Sequence, residues 1–105
     1  MCRRFAAEKP RQLVIVDTEP VTAAAVAAKT NWVAINLDVA DESAVAAMIR
    51  SVEKDSGPID LVCMNAGIAT IGALDVPNAT WQRTWEVNVM SHVYAVRAAL
   101  PAMLE

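Results

Sequence analysis

Three short apolar runs of this chain each end in acidic or small polar residues that could bind a polar ligand. The residues at these three positions are Asp17, Asp38 and the triplet Asn65-Ala66-Gly67. If the runs are parallel strands, their carboxyl ends form the sheet edge where ligands bind in open α/β folds. A carboxylate there can accept hydrogen bonds from both hydroxyls of an adenosine ribose and would repel a 2′-phosphate. The alternative for Asp17 is a turn or N-cap aspartate.

The three runs have the length and composition of buried strands, and helix signals follow each of them. Predicted strands cover residues 13–16, 32–37 and 59–64. A helix is predicted over residues 20–29, with proline at its first position. Asp41 is a good N-cap for a second helix, which Gly57-Pro58 ends. The apolar positions of that second helix are Val45, Met48, Ile49 and Val52. A long helix extends from about Ala79 to the C-terminus.

This alternation predicts an α/β fold with a Rossmann-like, doubly wound parallel sheet and right-handed crossovers. The 105 residues have room for at most one small domain, and 55% apolar content excludes disorder. The turn after residues 13–16 has no glycine to receive a pyrophosphate, and the only glycines are Gly57, Gly67 and Gly72. We therefore interpret the three strands as the second to fourth of the fold.

Composition excludes several classes of function. The net charge is −3, and no block of like charge forms the footprint of a nucleic-acid binder. No run approaches the roughly 18 apolar residues of a membrane span, so we expect a soluble, cytoplasmic protein without nucleic-acid or membrane partners. Cys2 and Cys63 lack metal-ligand spacing and are expected to be reduced thiols, Cys63 within a buried strand. His92 is the only histidine, so no metal site is predicted.

An ordered set of motifs carries a resemblance to a known family. The set consists of Asp60-Leu61-Val62-Cys63-Met64-Asn65-Ala66-Gly67, Leu37-Asp38-Val39 upstream, and Trp85-Glu86-Val87-Asn88-Val89 downstream. It resembles the short-chain dehydrogenase/reductase family along nearly the whole chain, although Met64 replaces the first asparagine of that family's Asn-Asn-Ala-Gly element. The resemblance implies an NAD(P)-dependent oxidoreductase that interconverts a small-molecule alcohol and a carbonyl by hydride transfer.

The resemblance also implies roles for residues in the first part of the chain. Asp17 matches the acid that selects the cofactor, which favours NAD over NADP. Asp38 and Val39 match the pair that lies against the adenine ring, and their alternative is a turn leading to Asp41. Asp60 matches a structural acid and receives no catalytic role.

In the second part, Asn65, Ala66 and Gly67 match a segment that braces the central strands and passes its backbone beside the cofactor. Asn88 matches an asparagine that disturbs its helix and holds a water in the proton relay. Asparagine is a poor helix former, so its place in an apolar helix needs a reason. The alternatives are a simple strand exit for the triplet and a locally bonded or exposed Asn88.

The family's catalytic pair is absent from these residues. A Tyr-x-x-x-Lys motif is needed to lower the tyrosine pKa, but the only tyrosine, Tyr94, is followed four residues later by Ala98. We expect Tyr94 to serve packing, and the catalytic serine, tyrosine and lysine to follow Glu105. The sequence thus predicts a partial NAD(P)-binding Rossmann domain over residues 1–105, truncated at both ends and inactive alone.

Loss of the first strand would leave a gap of two strand spacings, roughly 10 Å, in the sheet. We therefore expect a chain that is not independently stable and binds dinucleotide weakly. Two other functions stay open. One is a non-catalytic truncated or interaction fragment of Rossmann fold, and the other is a different Rossmann-like binder such as a methyltransferase, which would need a glycine-rich loop.

The last helix has two apolar stripes and therefore needs two partners. The stripes are Val89, Val93, Val96 and Leu100 on one face, and Met90, Tyr94 and Ala98 on another. One stripe would pack on the sheet, and the other resembles the family's dimer interface, which implies a homo-oligomer formed through this C-terminal helix. The alternative is a helix buried within its own subunit. Trp81 and Trp85 are expected to be core anchors.

Overall fold

The computed structural model describes residues 2–20, 32–72 and 74–105, and it separates into two compact units, Met1–Asp38 and Val39–Glu105. The first unit contains helix α1 (Cys2–Ala7) and strands β1 (Leu13–Asp17) and β2 (Trp32–Asn36). The predicted helix over residues 20–29 lies outside the described residues, except for its first position.

β1 and β2 form a parallel pair, as the alternation of strands and helices predicts. The register runs from Leu13 opposite Trp32 to Asp17 opposite Asn36. Both strands are rich in β-branched residues, which suit a pleated, half-buried surface. Asp17 is therefore the last residue of its strand, and its main chain is held to the neighbouring strand: the Leu37 amide donates to the Asp17 carbonyl at 3.1 Å.

The second unit is helical. Helix α2 (Glu42–Ser56) is followed by a stretch without helix or strand among its described residues, then by helix α3 (Asn78–Trp85), a π-helical segment (Glu86–Met90) and helix α4 (Ser91–Met103). α2 packs against α4. The buried apolar side chains of the described residues are Val45, Ile49, Val87 and Ala99. Two of the four apolar positions predicted for α2 are thus in this small core.

The ends of α2 lie where the sequence predicts. Asp41 is the N-cap, and its Oδ1 accepts hydrogen bonds from the Ala44 amide at 3.0 Å and the Ser43 hydroxyl at 2.8 Å. The Gly57 amide donates to the Glu53 carbonyl at 2.8 Å. Gly57 has φ of 85°, a left-handed conformation that favours glycine.

Two predictions about the second unit are wrong in detail. Residues 59–64 form no strand, because the sheet of the described residues contains β1 and β2 alone. Cys63 is accordingly exposed instead of buried. Trp81 and Trp85 are 56% and 55% exposed, so they are not core anchors here. Both expectations depended on packing partners elsewhere in the fold, and a local sequence pattern does not show whether such partners exist.

Within the described ranges, no helix has the length and apolarity to cross a membrane.

We predict that the Asp41 cap titrates at unusually low pH. The Ala44 amide and the Ser43 hydroxyl stabilise the charged carboxylate and hold the Asp41 pKa below its ordinary value. Since the pKa is lower in the folded than in the unfolded state, the cap stabilises α2 above the unfolded pKa, and this stabilisation is lost as pH falls through the folded pKa.

Carbon NMR titration of the Asp41 carboxyl measures this directly. Ser43→Ala should raise the Asp41 pKa partway toward its ordinary value, while Ser51→Ala on the exposed surface of the same helix should leave it unchanged. A native Asp41 pKa at or above the value of an unstructured aspartate would contradict the prediction.

Candidate functional site

The π-helical segment places Asn88 at the middle of an irregular turn between α3 and α4. The Ser91 amide donates to the Glu86 carbonyl, five residues earlier instead of four. This leaves the Val87 carbonyl without its usual amide partner, and the buried Ser91 hydroxyl donates to that carbonyl at 2.6 Å. π turns of this kind inside α-helices occur frequently at functional sites.

The Asn88 side chain makes two hydrogen bonds to the backbone of one distant residue. Its Oδ1 accepts from the Ile68 amide at 2.8 Å, and its Nδ2 donates to the Ile68 carbonyl at 2.8 Å. A primary amide carries both a donor and an acceptor, as a paired strand does. Asn88 therefore acts as a one-residue strand partner for the segment that follows Asn65-Ala66-Gly67. This contact, which we call the Asn88 bridge, differs from the local bonding that was the alternative for Asn88.

Gly67 lies directly beneath the Asn88 bridge. A Cβ atom added at Gly67 would lie 3.3 Å from Asn88 Oδ1, closer than most Cβ contacts. Gly67 does not have positive φ, since Gly57 is the glycine with positive φ among the described residues. The reason for a glycine at position 67 is the close approach of the Asn88 side chain. Asn65, Ala66 and Gly67 are all exposed, so their backbone is accessible to a ligand.

A pair of threonines fastens the same loop to α3. The hydroxyls of Thr70 and Thr84 lie 3.2 Å apart, and Thr84 also donates to the Thr80 carbonyl at 2.8 Å. The sequence analysis did not predict this pair, nor that the Ile68 backbone is the partner of Asn88. A signal for Thr84 exists, because it lies four residues before Asn88 on the same helical run. No local pattern identifies Ile68 as the partner.

In the first unit, Asp17 closes the end of β1. Its Oδ1 accepts from the Glu19 amide at 3.0 Å, the turn contact expected from the alternative interpretation. Next to it, Asn36 Nδ2 donates to the Thr18 carbonyl at 3.0 Å, which ties the two strand ends together. A carboxylate has two oxygens and several lone pairs, so the turn bond alone does not exhaust the capacity of Asp17 to accept hydrogen bonds.

Asp38 and Val39 follow Leu37, the residue directly after β2, and both are half-buried. Val39 begins the turn that leads to the Asp41 cap, as the alternative interpretation expects. Asp17 and Asp38 thus belong to the first unit, while the triplet and Asn88 are brought together within the second. Asp60 is exposed.

Tyr94 has a structural partner. Its hydroxyl donates to Glu86 Oε2 at 3.0 Å. Burial raises the pKa of the Tyr94 phenol, and the hydrogen bond to Glu86 raises it further. This is opposite to the lowered pKa that a catalytic tyrosine gains from a nearby lysine.

Among the described residues, no cluster of three or more metal-ligating side chains exists.

We predict that Gly67→Ala weakens the Asn88 bridge specifically. The new methyl group would push Asn88 away from Ile68, and loss of a hydrogen bond costs about 1 kcal/mol. The Ile68 amide should then exchange with deuterium about fivefold faster, as measured by NMR. Ala66→Ser, which changes the neighbouring exposed residue, is the matched control. Native exchange of the Ile68 amide in Gly67→Ala would show that the approach is not tight.

Comparison with known proteins identifies the family of this chain. The family model described as short chain dehydrogenase matches residues 1–105. An inactive 2-(S)-hydroxypropyl-CoM dehydrogenase of Xanthobacter autotrophicus is 34% identical over 105 residues, covering 97% of this chain and 46% of that protein. The meso-2,3-butanediol dehydrogenase of Serratia marcescens is 33% identical over 107 residues, covering 98% of this chain and 42% of that protein.

Solved structures agree with the sequence comparison. A mutant of a Serratia marcescens short-chain dehydrogenase/reductase superposes with a TM-score of 0.85 at 28% identity, covering 97% of this chain and 44% of that chain. The present chain thus spans less than half the length of these relatives. The partial Rossmann-like α/β fold is confirmed, and the chain belongs to the short-chain dehydrogenase family of NAD(P)-dependent oxidoreductases.

Proposed function

We propose that this chain carries the adenosine-binding strand ends and the helix asparagine of an NAD-dependent enzyme that interconverts an alcohol and a carbonyl. The observation that supports this most strongly is the Asn88 bridge. In this bridge, both polar atoms of an asparagine in a π turn bind the backbone of Ile68, the residue that follows Asn65-Ala66-Gly67. A π turn inside an α-helix occurs frequently at functional sites, which supports a role for Asn88 beyond the loop contact.

In the first unit, Asp17 and Asp38 are the proposed contacts for the adenosine part of the cofactor, with Val39 following in the chain. Asp17 lies at the carboxyl end of β1, and its carboxylate suits a ribose diol. A 2′-phosphate in the same place would meet a like charge, so we propose NAD over NADP. Asp38 would accept from the adenine amine, and the backbone at Val39 would complete the contact.

In the second unit, Asn65, Ala66 and Gly67 are the proposed backbone wall beside the cofactor. Their small side chains and exposure fit close approach of a planar group. When bound, the nicotinamide supplies or accepts the hydride. Asn88 is the proposed catalytic residue of this chain: an amide has two N–H groups and two oxygen lone pairs, so beyond the Ile68 bonds it can hold a water that passes the accompanying proton.

The other proposed function is a non-catalytic Rossmann fragment. It is favoured by the residue four positions after Tyr94, which is Ala98 instead of the required lysine, and by the engagement of the Tyr94 hydroxyl with Glu86. One of the relatives is itself named as inactive. We therefore propose that the 105 residues by themselves do not reduce carbonyl compounds, whichever function is right. Binding of an adenosine nucleotide distinguishes the two proposed functions, because only the part of an NAD-dependent enzyme is expected to bind it.

We further propose a homo-oligomer formed through α4. Val93, Val96 and Leu100 are 38%, 42% and 43% exposed, which supports an apolar strip on this helix that the described residues leave uncovered. The strip is one of the two stripes in the sequence pattern. The other stripe includes Tyr94, which is half-buried. A cytoplasmic location stays a prediction of the sequence.

We predict that the chain distinguishes 5′-AMP from 2′,5′-ADP. These nucleotides probe the adenosine site without requiring catalysis or tight binding. Saturation-transfer NMR should detect 5′-AMP more strongly, because Asp17 accepts from the ribose hydroxyls and repels a 2′-phosphate. Asp17→Asn retains an oxygen for the Glu19 turn bond but loses the charge. Loss of a hydrogen bond to a charged group costs about 1.5–3 kcal/mol, so affinity for 5′-AMP should fall at least about tenfold.

Asp55→Asn, on the exposed surface of α2, is the matched control and should bind both nucleotides as the native chain does. Equal binding of the two nucleotides to the native chain, or unchanged 5′-AMP binding in Asp17→Asn, would remove Asp17 from the cofactor site. No detectable binding of either nucleotide would favour the non-catalytic fragment.

A further inference from the structure

The Glu86 carboxylate joins the two helices on either side of the π-helical segment. Gln82 Nε2 in α3 donates to Glu86 Oε1 at 2.6 Å, and the Tyr94 hydroxyl in α4 donates to Glu86 Oε2 at 3.0 Å. Each carboxylate oxygen thus has a partner on a different side of the irregular turn. We call this arrangement the Glu86 clamp.

The contact between Glu86 and Tyr94 depends on the irregular turn. In a regular α-helix each residue is rotated by about 100°, so residue i+7 lies nearly above residue i, and residue i+8 is rotated away by about 80°. On that count Val93, not Tyr94, would lie above Glu86. A π turn inserts one extra residue and moves the alignment from i+7 to i+8. Long helical side chains also point toward the helix N-terminus, which directs Tyr94 back to Glu86.

We infer that Glu86 is a positioning residue, which holds the helix in π register through its bonds to Gln82 and Tyr94 and thereby keeps Asn88 on the Ile68 backbone. Three hydrogen bonds then act on one turn: the two bonds of the clamp span it, and the buried Ser91 hydroxyl donates to the Val87 carbonyl within it. This inference rests on the proposed function for the importance of Asn88, but its geometry concerns this chain alone.

The surroundings of Tyr94 support the clamp. Burial raises the pKa of the Tyr94 phenol, and the hydrogen bond and the charge of Glu86 raise it further. Glu42 of α2 adds to this effect, while Arg97 of α4 opposes it, and these two side chains form an ion pair with each other. The neutral phenol is therefore the favoured form, and it is the form that can donate a proton to a carboxylate.

Hydrogen exchange of the Ile68 amide tests the clamp at the place where it should act. Glu86→Ala should accelerate exchange of this amide at least tenfold, and Tyr94→Phe, which removes one hydroxyl, should accelerate it severalfold. Glu86→Gln retains an oxygen acceptor and should restore most of the protection. Glu105→Gln, at an exposed carboxylate in the same unit, is the matched control. The Ile49 amide in α2 should exchange as in the native chain in all four variants.

Native exchange of the Ile68 amide in Glu86→Ala would overturn the inference. Equal acceleration at Ile68 and Ile49 would also overturn it, since that result describes general loss of structure. A failure of the proposed function can be distinguished from a failure of the clamp. Nucleotide binding measures the first, and it does not affect the amide exchange rates that measure the second.

The single tyrosine provides a second readout. Ultraviolet titration of the native chain reports the Tyr94 phenol alone, and its midpoint should lie above the ordinary value of about 10. Glu86→Gln should lower this midpoint, while Glu105→Gln should not. A Tyr94 midpoint that is the same in native chain and Glu86→Gln would contradict the contact on which the clamp depends.

Discussion

The arrangement of the second unit depends on one side-chain amide that replaces a strand. Asn88 gives Ile68 the donor and the acceptor that a neighbouring strand would otherwise provide. Ile68 is exposed, so water could also satisfy its backbone groups, and what Asn88 adds is a fixed protein partner for both of them. The stretch before α3 forms no strand in the described sheet, and this amide and the Thr70–Thr84 contact attach it to the helices.

This requirement explains features that are otherwise unrelated. Gly67 leaves room for the amide, and the π turn places the asparagine at the point of contact. The π turn has a cost, since it deprives the Val87 carbonyl of its helical partner, and the Ser91 hydroxyl offsets that cost. In the proposed function, the backbone that Asn88 fixes lies beside the cofactor, and the same side-chain amide holds a water.

Sequence reasoning succeeded where the signal is local. The Asp41 cap and the end of α2 at Gly57 follow from a few adjacent residues, and the parallel pairing of β1 and β2 follows from the alternation of strands and helices. It failed for the strand over residues 59–64 and for Trp81, because a strand or a core position exists only if another element supplies its partner. The family motif singles out Asn88, whose role in the site stays a prediction, and its bond to a backbone twenty residues earlier has no sequence pattern.

The most direct measurement is a nuclear Overhauser spectrum of the isotope-labelled chain, recorded without any substitution. If Asn88 bridges Ile68, the Asn88 side-chain amide protons should show cross-peaks to Ile68 backbone and neighbouring protons, and one of the two should exchange slowly with water. Asn88 amide protons that exchange freely, with cross-peaks only to their own helix, would contradict the account. The asparagine would then be a surface residue, and its contact with Ile68 would explain neither Gly67 nor the π turn.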